Sequence, residues 1–334
     1  MNEIKHSVII SAYNEEEFVL NCLKSVEKAI CGIKNIEILI INNGSIDNTQ
    51  IQIDKFYDEL DDSRKKYYEK FTINHLGLSE ARNYGISNSS GEFLSFVDAD
   101  ALVDKSCFVQ ISKAFKDYNP DIISGTVKFL DKGSLIAYFL YLLHFKTLTP
   151  DKKSGFILNK SKTAVIGANM SLKRSVIKTG FFKEIKGRGD DTFLFLYLKN
   201  FRNCKEYHLK ESIVYNDITS SLITWTKQQF IGGKVNGLII KNFNSLFLTK
   251  KLFYYMLILS LILLAVKVYL IFLILFLFRI ILRVKFLYFS FSNLFKSKLW
   301  YLSFISPFIN IISILINDIG SVYGLIFSKK IIDE

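Results

Sequence analysis

Apolar residues fall first into short blocks separated by polar turns, and after Lys251 into long, nearly unbroken stretches. Ser7–Ser11 (SVIIS) and Ile36–Ile41 (IEILII) are short β-rich runs, as expected of strands buried on both faces of a parallel sheet. Between them Phe18, Cys22, Val26 and Ala29 repeat at helical spacing, with Asn14 and Glu17 placed as a capping box. A helix from about Asp47 to Tyr57 and a weaker strand near Phe71–Asn74 follow. Gly77 then leads into a helix that Ser79 is placed to cap. Phe93–Val97 is another buried strand, ending at Asp98-Ala99-Asp100. A helix over Cys107–Tyr118 and a strand over Ile122–Phe129 complete the regular part.

Strands alternating with helices predict a doubly wound α/β domain. Such sheets bind ligands beyond the carboxyl ends of their strands. Asn14, the Asn42-Asn43 loop, the Gly77–Arg82 segment and the two aspartates all follow strands, so they should meet on one edge.

The remainder reads differently. Leu135–Phe145 is apolar and aromatic but too short to span a bilayer, which leaves a buried helix or one lying at a membrane interface. Residues 252–278 carry one charge, Lys267, and fit a steeply tilted helix or a hairpin turning at Lys267. Leu299–Asn317 is uncharged and contains Pro307; a span, a kinked re-entrant hairpin and an interfacial helix all fit it. The expected division is a catalytic domain over 1–245 and a membrane anchor of two or three hydrophobic helices over 246–334.

Charge sharpens this division. The net charge is +12, and residues 241–334 hold eleven Lys/Arg against three Asp/Glu. Basic residues flanking apolar stretches are the pattern of juxtamembrane charge, not of a nucleic-acid surface. Four scattered cysteines have no metal-ligand spacing and suit reduced thiols. Met1–Lys5 is polar and leads straight into a strand-like run, with no signal-peptide pattern, so the first domain is expected to stay in the cytosol.

Two acidic sites carry the candidate chemistry. Asp98 and Asp100 end a buried strand. One carboxylate can orient a ribose or a metal-bound water while the other ligates a divalent cation that neutralises a diphosphate. Asp190-Asp191 precedes the apolar run Phe193–Leu198. It suits either simple charge complementing a helix dipole or a general base for an acceptor hydroxyl.

The segments VIISAYNEEEFVLNCLKSV, IINNGSIDNT, GLSEARNYGI, FLSFVDADALVD, GANMSLKR and GRGDDTFLFLYL resemble, in order and spacing, the motifs of family 2 glycosyltransferases over roughly residues 5–235. The resemblance implies an α/β fold of the GT-A type, a doubly wound Rossmann-like nucleotide-sugar domain, here followed by C-terminal transmembrane or interfacial helices. It implies inverting transfer from a UDP-, GDP- or dTDP-sugar with Mg²⁺ or Mn²⁺. By position, Ala12, Tyr13 and Glu15 would contact the nucleotide, Asn42 or Asn43 the base, and Arg82 the nucleotide or diphosphate. Asp98 and Asp100 would form the Asp-x-Asp pair, with Asp100 the main metal ligand. Asp191 would be the catalytic base and Asp190 would replace the family's glutamate. Gly167–Arg174 would help frame the acceptor pocket.

Some positions depart from the family. Ser11 stands where proline is common, Asn42-Asn43 replaces Asp-Asp, and Asn216 lies about where many members carry histidine. No Gln-x-x-Arg-Trp motif is present, the nearest stretch being Trp225–Phe230, which argues against a processive synthase. The expected activity is glycosyl transfer to a hydroxyl of a lipid-linked or membrane-surface acceptor at the cytoplasmic membrane, with the catalytic domain facing the cytosol. The rivals are a polyprenyl-phosphate glycosyltransferase and a non-catalytic membrane scaffold. A dinucleotide dehydrogenase is disfavoured because no Gly-x-Gly-x-x-Gly follows the first strand.

Overall fold

In a computed structural model of the chain, the described residues are 6–130, 132–145, 153–159, 162–163, 165–177, 190–217, 221–243, 252–256, 274, 277–281 and 283–328. The chain divides into two compact units, one of residues 1–130 with 151–217, the other of 131–150 with 218–334. Most of the apolar stretch 252–278 lies outside the described residues.

The first unit is built on a nine-stranded mixed sheet in the order β3-β2-β1-β4-β8-β6-β9-β5, with β7 paired to β9. Strands β1 (His6–Ala12), β2 (Ile36–Asn42), β3 (Tyr68–Thr72) and β4 (Phe93–Asp98) form its parallel part. All but one residue of β1 and of β2 are buried, which is why both read as near-continuous apolar runs. The short β5 (Ala101–Val103) pairs antiparallel with β9 (Glu206–Asn216), which runs parallel to β6 (Ile122–Phe129). β8 (Met170–Lys173) is antiparallel to both β4 and β6, and β7 is Gly155–Phe156. Chain order reverses between β1 and β4, the place where an open α/β sheet leaves a crevice.

The connecting helices are α1 (Val19–Ala29), α2 (Thr49–Asp58), α3 (Asp62–Lys65), α4 (Leu78–Asn88) and α5 (Cys107–Tyr118), with α7 (Asp190–Phe201) later in the unit. The helix over Cys107–Tyr118 and the strand over Ile122–Phe129 lie where the pattern puts them. Two expected caps do not form. Asn14 adopts a left-handed conformation (φ 56°), and its Oδ1 accepts from Ile46 N (3.0 Å) across the next loop, so α1 begins only at Val19. The cap of α4 is Gly77 at φ 95°, a conformation a β-carbon disfavours, and Ser79 lies inside the helix.

The second unit contains α6 (Leu135–Leu140), which continues as a π-helical turn over Tyr141–Phe145, then α8 (Leu222–Asn242), α9 (Val284–Phe295) and α10 (Ser306–Phe327). Phe139, Leu140, Leu142 and Leu143 pack with Trp225, Leu294 and Leu299, whereas Leu135 and Ile136 are exposed. The buried reading of this short segment therefore applies to its second half. Pro307 sits in the first turn of α10, where its missing N–H costs nothing, rather than kinking a longer helix. Among the described residues α10 is the one helix long and apolar enough to cross a membrane.

Helices α8 and α10 run parallel along a seam of small residues. A Cβ at Gly233 or Gly237 would strike the backbone of Asn317 or Ser321. One at Gly320 or Gly324 would strike Phe230 or Lys234. Ser313 Oγ donates to Gln229 Oε1 (3.2 Å) and Asn317 Nδ2 to Gln229 O (3.1 Å) along the same seam. Asp318 is clamped bidentately by Arg279 and accepts from Tyr254 Oη.

Candidate active site

The carboxyl ends of β1, β2 and β4 gather the predicted donor residues. Asn43 N donates to Ala12 O (2.8 Å), closing the β1 and β2 ends against each other. Asn42 is buried and internally used: its Nδ2 donates to Gln50 Oε1 (2.8 Å) and its Oδ1 accepts from Ser45 N (3.0 Å). Asn43 Oδ1 accepts from Leu76 N (3.1 Å), and His75 Nδ1 lies 3.2 Å from Asn43 O. The tight turn between them needs Gly44, at φ 70°, where a Cβ would stand 2.6 Å from His75 N. The imidazole of His75 stacks on exposed Tyr13 with ring centroids 3.9 Å apart. Nothing in the motif spacing singled out His75; only the loop fold brings it to Tyr13.

A second group forms around β4. Arg82, almost fully buried, reaches Asp98 Oδ1 with its Nη2 at 3.0 Å. Asp100 follows two residues after the strand end. Glu15, held by its N–H to Thr49 Oγ1 (2.7 Å), faces the same carboxylates. Burial first, then the charges of Asp100, Asp98 and Asp47, push the Glu15 carboxyl up to about 7. Three carboxylates repelling one another in partial burial form a site that a cation would stabilise.

The third group comes from further along the chain. Gly167 sits in a 3₁₀ turn before β8, and a Cβ there would stand 3.0 Å from Arg82 Nη2 and 3.2 Å from Asp191 Oδ2. Arg82 and Asp191, 109 positions apart, thus line one small space over the Gly167 Cα. Asp191 lies in the first turn of α7, and its Oδ1 accepts from Thr192 N (2.6 Å). Asp190 heads the helix, and its side chain is outside the described residues. The structure brings Ala12, Tyr13, Asn42, Asn43, Glu15, Arg82, Asp98, Asp100 and Asp191 to one edge of the sheet.

Residues able to meet a hard divalent cation are the carboxylates of Asp98 and Asp100. Asn216, the last residue of β9, pairs with Ala101 beside Asp100, and its Oδ1 is buried without a hydrogen-bond partner among the described residues. An all-oxygen set of this kind fits Mg²⁺ or Mn²⁺. Among the described residues no three His, Cys, Asp or Glu side chains form a ready metal cage. Mg²⁺ sites of nucleotide enzymes commonly use one or two carboxylates and complete the shell with substrate phosphates and water.

Residues 7–181 match the sequence profile of glycosyl transferase family 2, more than half of the chain. The chain belongs to this family. It is 29% identical over 217 residues to glycosyltransferase GlyA of Streptococcus pneumoniae serotype 4, covering 63% of this chain and 29% of that protein. It is 30% identical over 123 residues to the minor teichoic acid biosynthesis protein GgaB of Bacillus subtilis, covering 35% of this chain and 12% of GgaB. The chain therefore spans well under half the length of these relatives. Among solved structures, S. aureus TarS 1-349 in complex with UDP-GlcNAc superposes with a TM-score of 0.53 at 15% identity, over 96% of this chain and 91% of that one. This likeness establishes the GT-A fold, with its Rossmann-like mixed sheet.

Proposed function

We propose that the chain transfers a sugar from a nucleotide-sugar donor to a hydroxyl of a membrane-associated acceptor, with inversion at the anomeric carbon. The observation that carries this reading is the meeting of Asp191 and Arg82 over Gly167, next to the Asp98/Asp100 end of β4. The complex of TarS with UDP-GlcNAc and the teichoic acid role in GgaB's name support a UDP-sugar donor and a cell-envelope polymer or its lipid-linked precursor as acceptor.

In this reading the nucleotide base lies against the Tyr13/His75 face and the Asn43 loop. Arg82 fixes Asp98 through their ion pair and presents positive potential where diphosphate charge develops. Thr192 N–H holds one oxygen of Asp191, which orients the other toward the space over Gly167. There Asp191 takes the proton of the acceptor hydroxyl as its oxygen bonds to C1 and the C1–phosphate bond breaks in line. Asp100, with Asp98 and Asn216, would hold Mg²⁺ or Mn²⁺, whose charge stabilises the departing diphosphate. Asp190 would stand in the place of the family's glutamate, next to the base in the chain. The apolar C-terminal unit would hold the enzyme at the cytosolic face of the membrane.

The test is binding of UDP, GDP and dTDP sugars to the full chain, with and without Mn²⁺, for wild type and Asp100→Ala. Metal-dependent binding that disappears in the variant supports a transferase; well-folded protein that binds no nucleotide sugar points to the scaffold instead. Transfer activity surviving in Asp191→Asn would replace the hydroxyl acceptor with a polyprenyl phosphate, which needs no general base.

A further inference from the structure

Length and composition allow α10 to stand across a bilayer: 22 residues rise about 33 Å, close to the hydrocarbon thickness. Its companion does not. From Ser313 onward α10 is packed in parallel against α8, Gln229 level with Ser313, Gly237 with Ser321 and Lys241 with Ser328. α8 carries Lys227, Lys234 and Lys241, each seven residues from the next. Seven residues fall only about 20° short of two turns, so the three ammonium groups form one row along the helix. Lys234, whose backbone packs on Gly320 and Gly324, would sit within a membrane that α10 crossed, where an ammonium group is costly.

The row has a defined relation to α10. Lys234 Nζ lies 4.9 Å from the centroid of the Tyr323 ring, and Lys241 Nζ donates to Ser328 O at 2.6 Å. On the face of α10 turned away from the glycine seam, Phe308, Ile312, Leu315, Ile319 and Ile326 are all exposed. Their spacings of four, three, four and seven residues keep them within one narrow stripe. Tyr323 stands on the flank between this apolar stripe and the lysine row. Asp318 is the sole acid in residues 221–328 against eleven Lys/Arg, and it is already clamped by Arg279. The lysine row therefore has no acidic partner within its own stretch of chain.

We propose that the α8–α10 pair lies flat in the headgroup layer of an anionic bilayer, rather than crossing it. The apolar stripe of α10 enters the acyl boundary, and the α8 lysines meet lipid phosphates at the same level. This deepens the membrane-acceptor reading and rests on it, because the acceptor is presented at that surface.

Two measurements on the full chain test it. In the first, Lys298→Cys and Ser328→Cys, which bracket α10, are made separately on a Cys31→Ser background, since Cys31 is the exposed thiol among the four. An impermeant maleimide is applied to spheroplasts and to inverted vesicles of expressing cells. Labelling of both positions from the same side is expected. Labelling from opposite sides overturns the in-plane arrangement and leaves the membrane-acceptor reading standing. In the second, flotation compares phosphatidylcholine vesicles with and without phosphatidylglycerol. The triple variant Lys227→Gln/Lys234→Gln/Lys241→Gln should bind the anionic vesicles about 100-fold more weakly, at about 1 kcal/mol per basic residue. Its nucleotide-sugar binding should be unchanged, and its Tm should fall by no more than the lost Lys241–Ser328 hydrogen bond and Lys234–Tyr323 contact account for. Anionic-vesicle affinity indifferent to the substitutions and to salt removes the lysine row from the proposal. Protein that remains soluble without detergent and binds neither vesicle sinks the membrane reading itself. If that soluble form is a dimer dispersed by Phe308→Asp, the stripe belongs to a second copy of the chain.

Discussion

Lys199 offers the sharpest test of how α7 is held in place. Its Nζ donates to Asn159 O (3.1 Å), Lys162 O (2.6 Å) and Glu206 Oε2 (2.9 Å), and the ion pair is sealed, with side chains 3% and 0% exposed. Glu206 Oε1 also accepts from Thr163 Oγ1 (2.8 Å). The pair thus ties β9, Asn159, Lys162 and Thr163 to the helix that bears Asp191. Truncating one member of a buried pair leaves the other charge in low dielectric, which typically costs about 3–5 kcal/mol. For Lys199→Met the lower end, about 3 kcal/mol, is expected because Glu206 keeps the Thr163 hydroxyl. Glu206→Met should cost about the same, since Lys199 keeps two carbonyls. The double variant removes both charges and leaves mainly two carbonyls and one hydroxyl poorly satisfied, about 2–3 kcal/mol. The coupling energy is then about 3 kcal/mol, half of the additive sum. Urea denaturation of the three variants measures it, and each single substitution should lower Tm by about 6–12 °C in a unit of this size. Single costs below about 1 kcal/mol, or strict additivity, would refute the claim that this ion pair anchors the helix. Transfer assays on the surviving variants should show a lower kcat with the donor KM little changed.

Three further outcomes follow from the site. Gly167→Ala sets a methyl group against Arg82 Nη2 and Asp191 Oδ2; kcat should fall about 10-fold or more, while isothermal titration finds donor affinity within a factor of about two, and an unchanged kcat would place the chemistry elsewhere. Gly44→Ala meets both a φ of 70° and the His75 backbone, so it should cost about 2–3 kcal/mol in denaturation and weaken nucleotide binding. Glu15 gives a pH signature in metal-free protein: its folded value of about 7 lies above the ordinary 4.5, so the fold favours the protonated form and loses stability as pH rises through that window. Glu15→Gln should match wild type at about pH 5 and exceed it by about 1–2 kcal/mol at about pH 8, discounted for partial exposure. An equal gain at both pH values would show that repulsion among the carboxylates is not its source.

The pattern of short apolar runs carried the parallel half of the sheet, because a strand buried on both faces has to be continuously apolar. Ser7–Ser11, Ile36–Ile41 and Phe93–Val97 all lie within strands of that sheet. The edge where ligands gather was equally legible, since every candidate loop follows a strand. Local sequence misled at Asn14 and Ser79: both residues have the chemistry of a helix cap, but Asn14 is drawn across to Ile46 and Gly77 takes the cap of α4. Cap preference is worth only about 1 kcal/mol, and tertiary hydrogen bonds outweigh it.

What sequence could not decide are the meetings between distant segments. Arg82 and Asp191 share the space over Gly167 because β8 runs antiparallel beside β4 and carries the Gly167 turn to the site. His75 reaches Tyr13 only through the turn at Gly44. Residues 222–242, which the expected division placed in the catalytic domain, pack along α10 because four glycines let two backbones come close. The sequence by itself determined the family and the parallel half of the sheet and named the candidate acidic groups, since those rest on periodicity and on motifs short enough to be local. Tertiary structure decided which groups touch and which helices pair, because contacts between residues far apart in the chain follow from backbone geometry that local pattern does not encode.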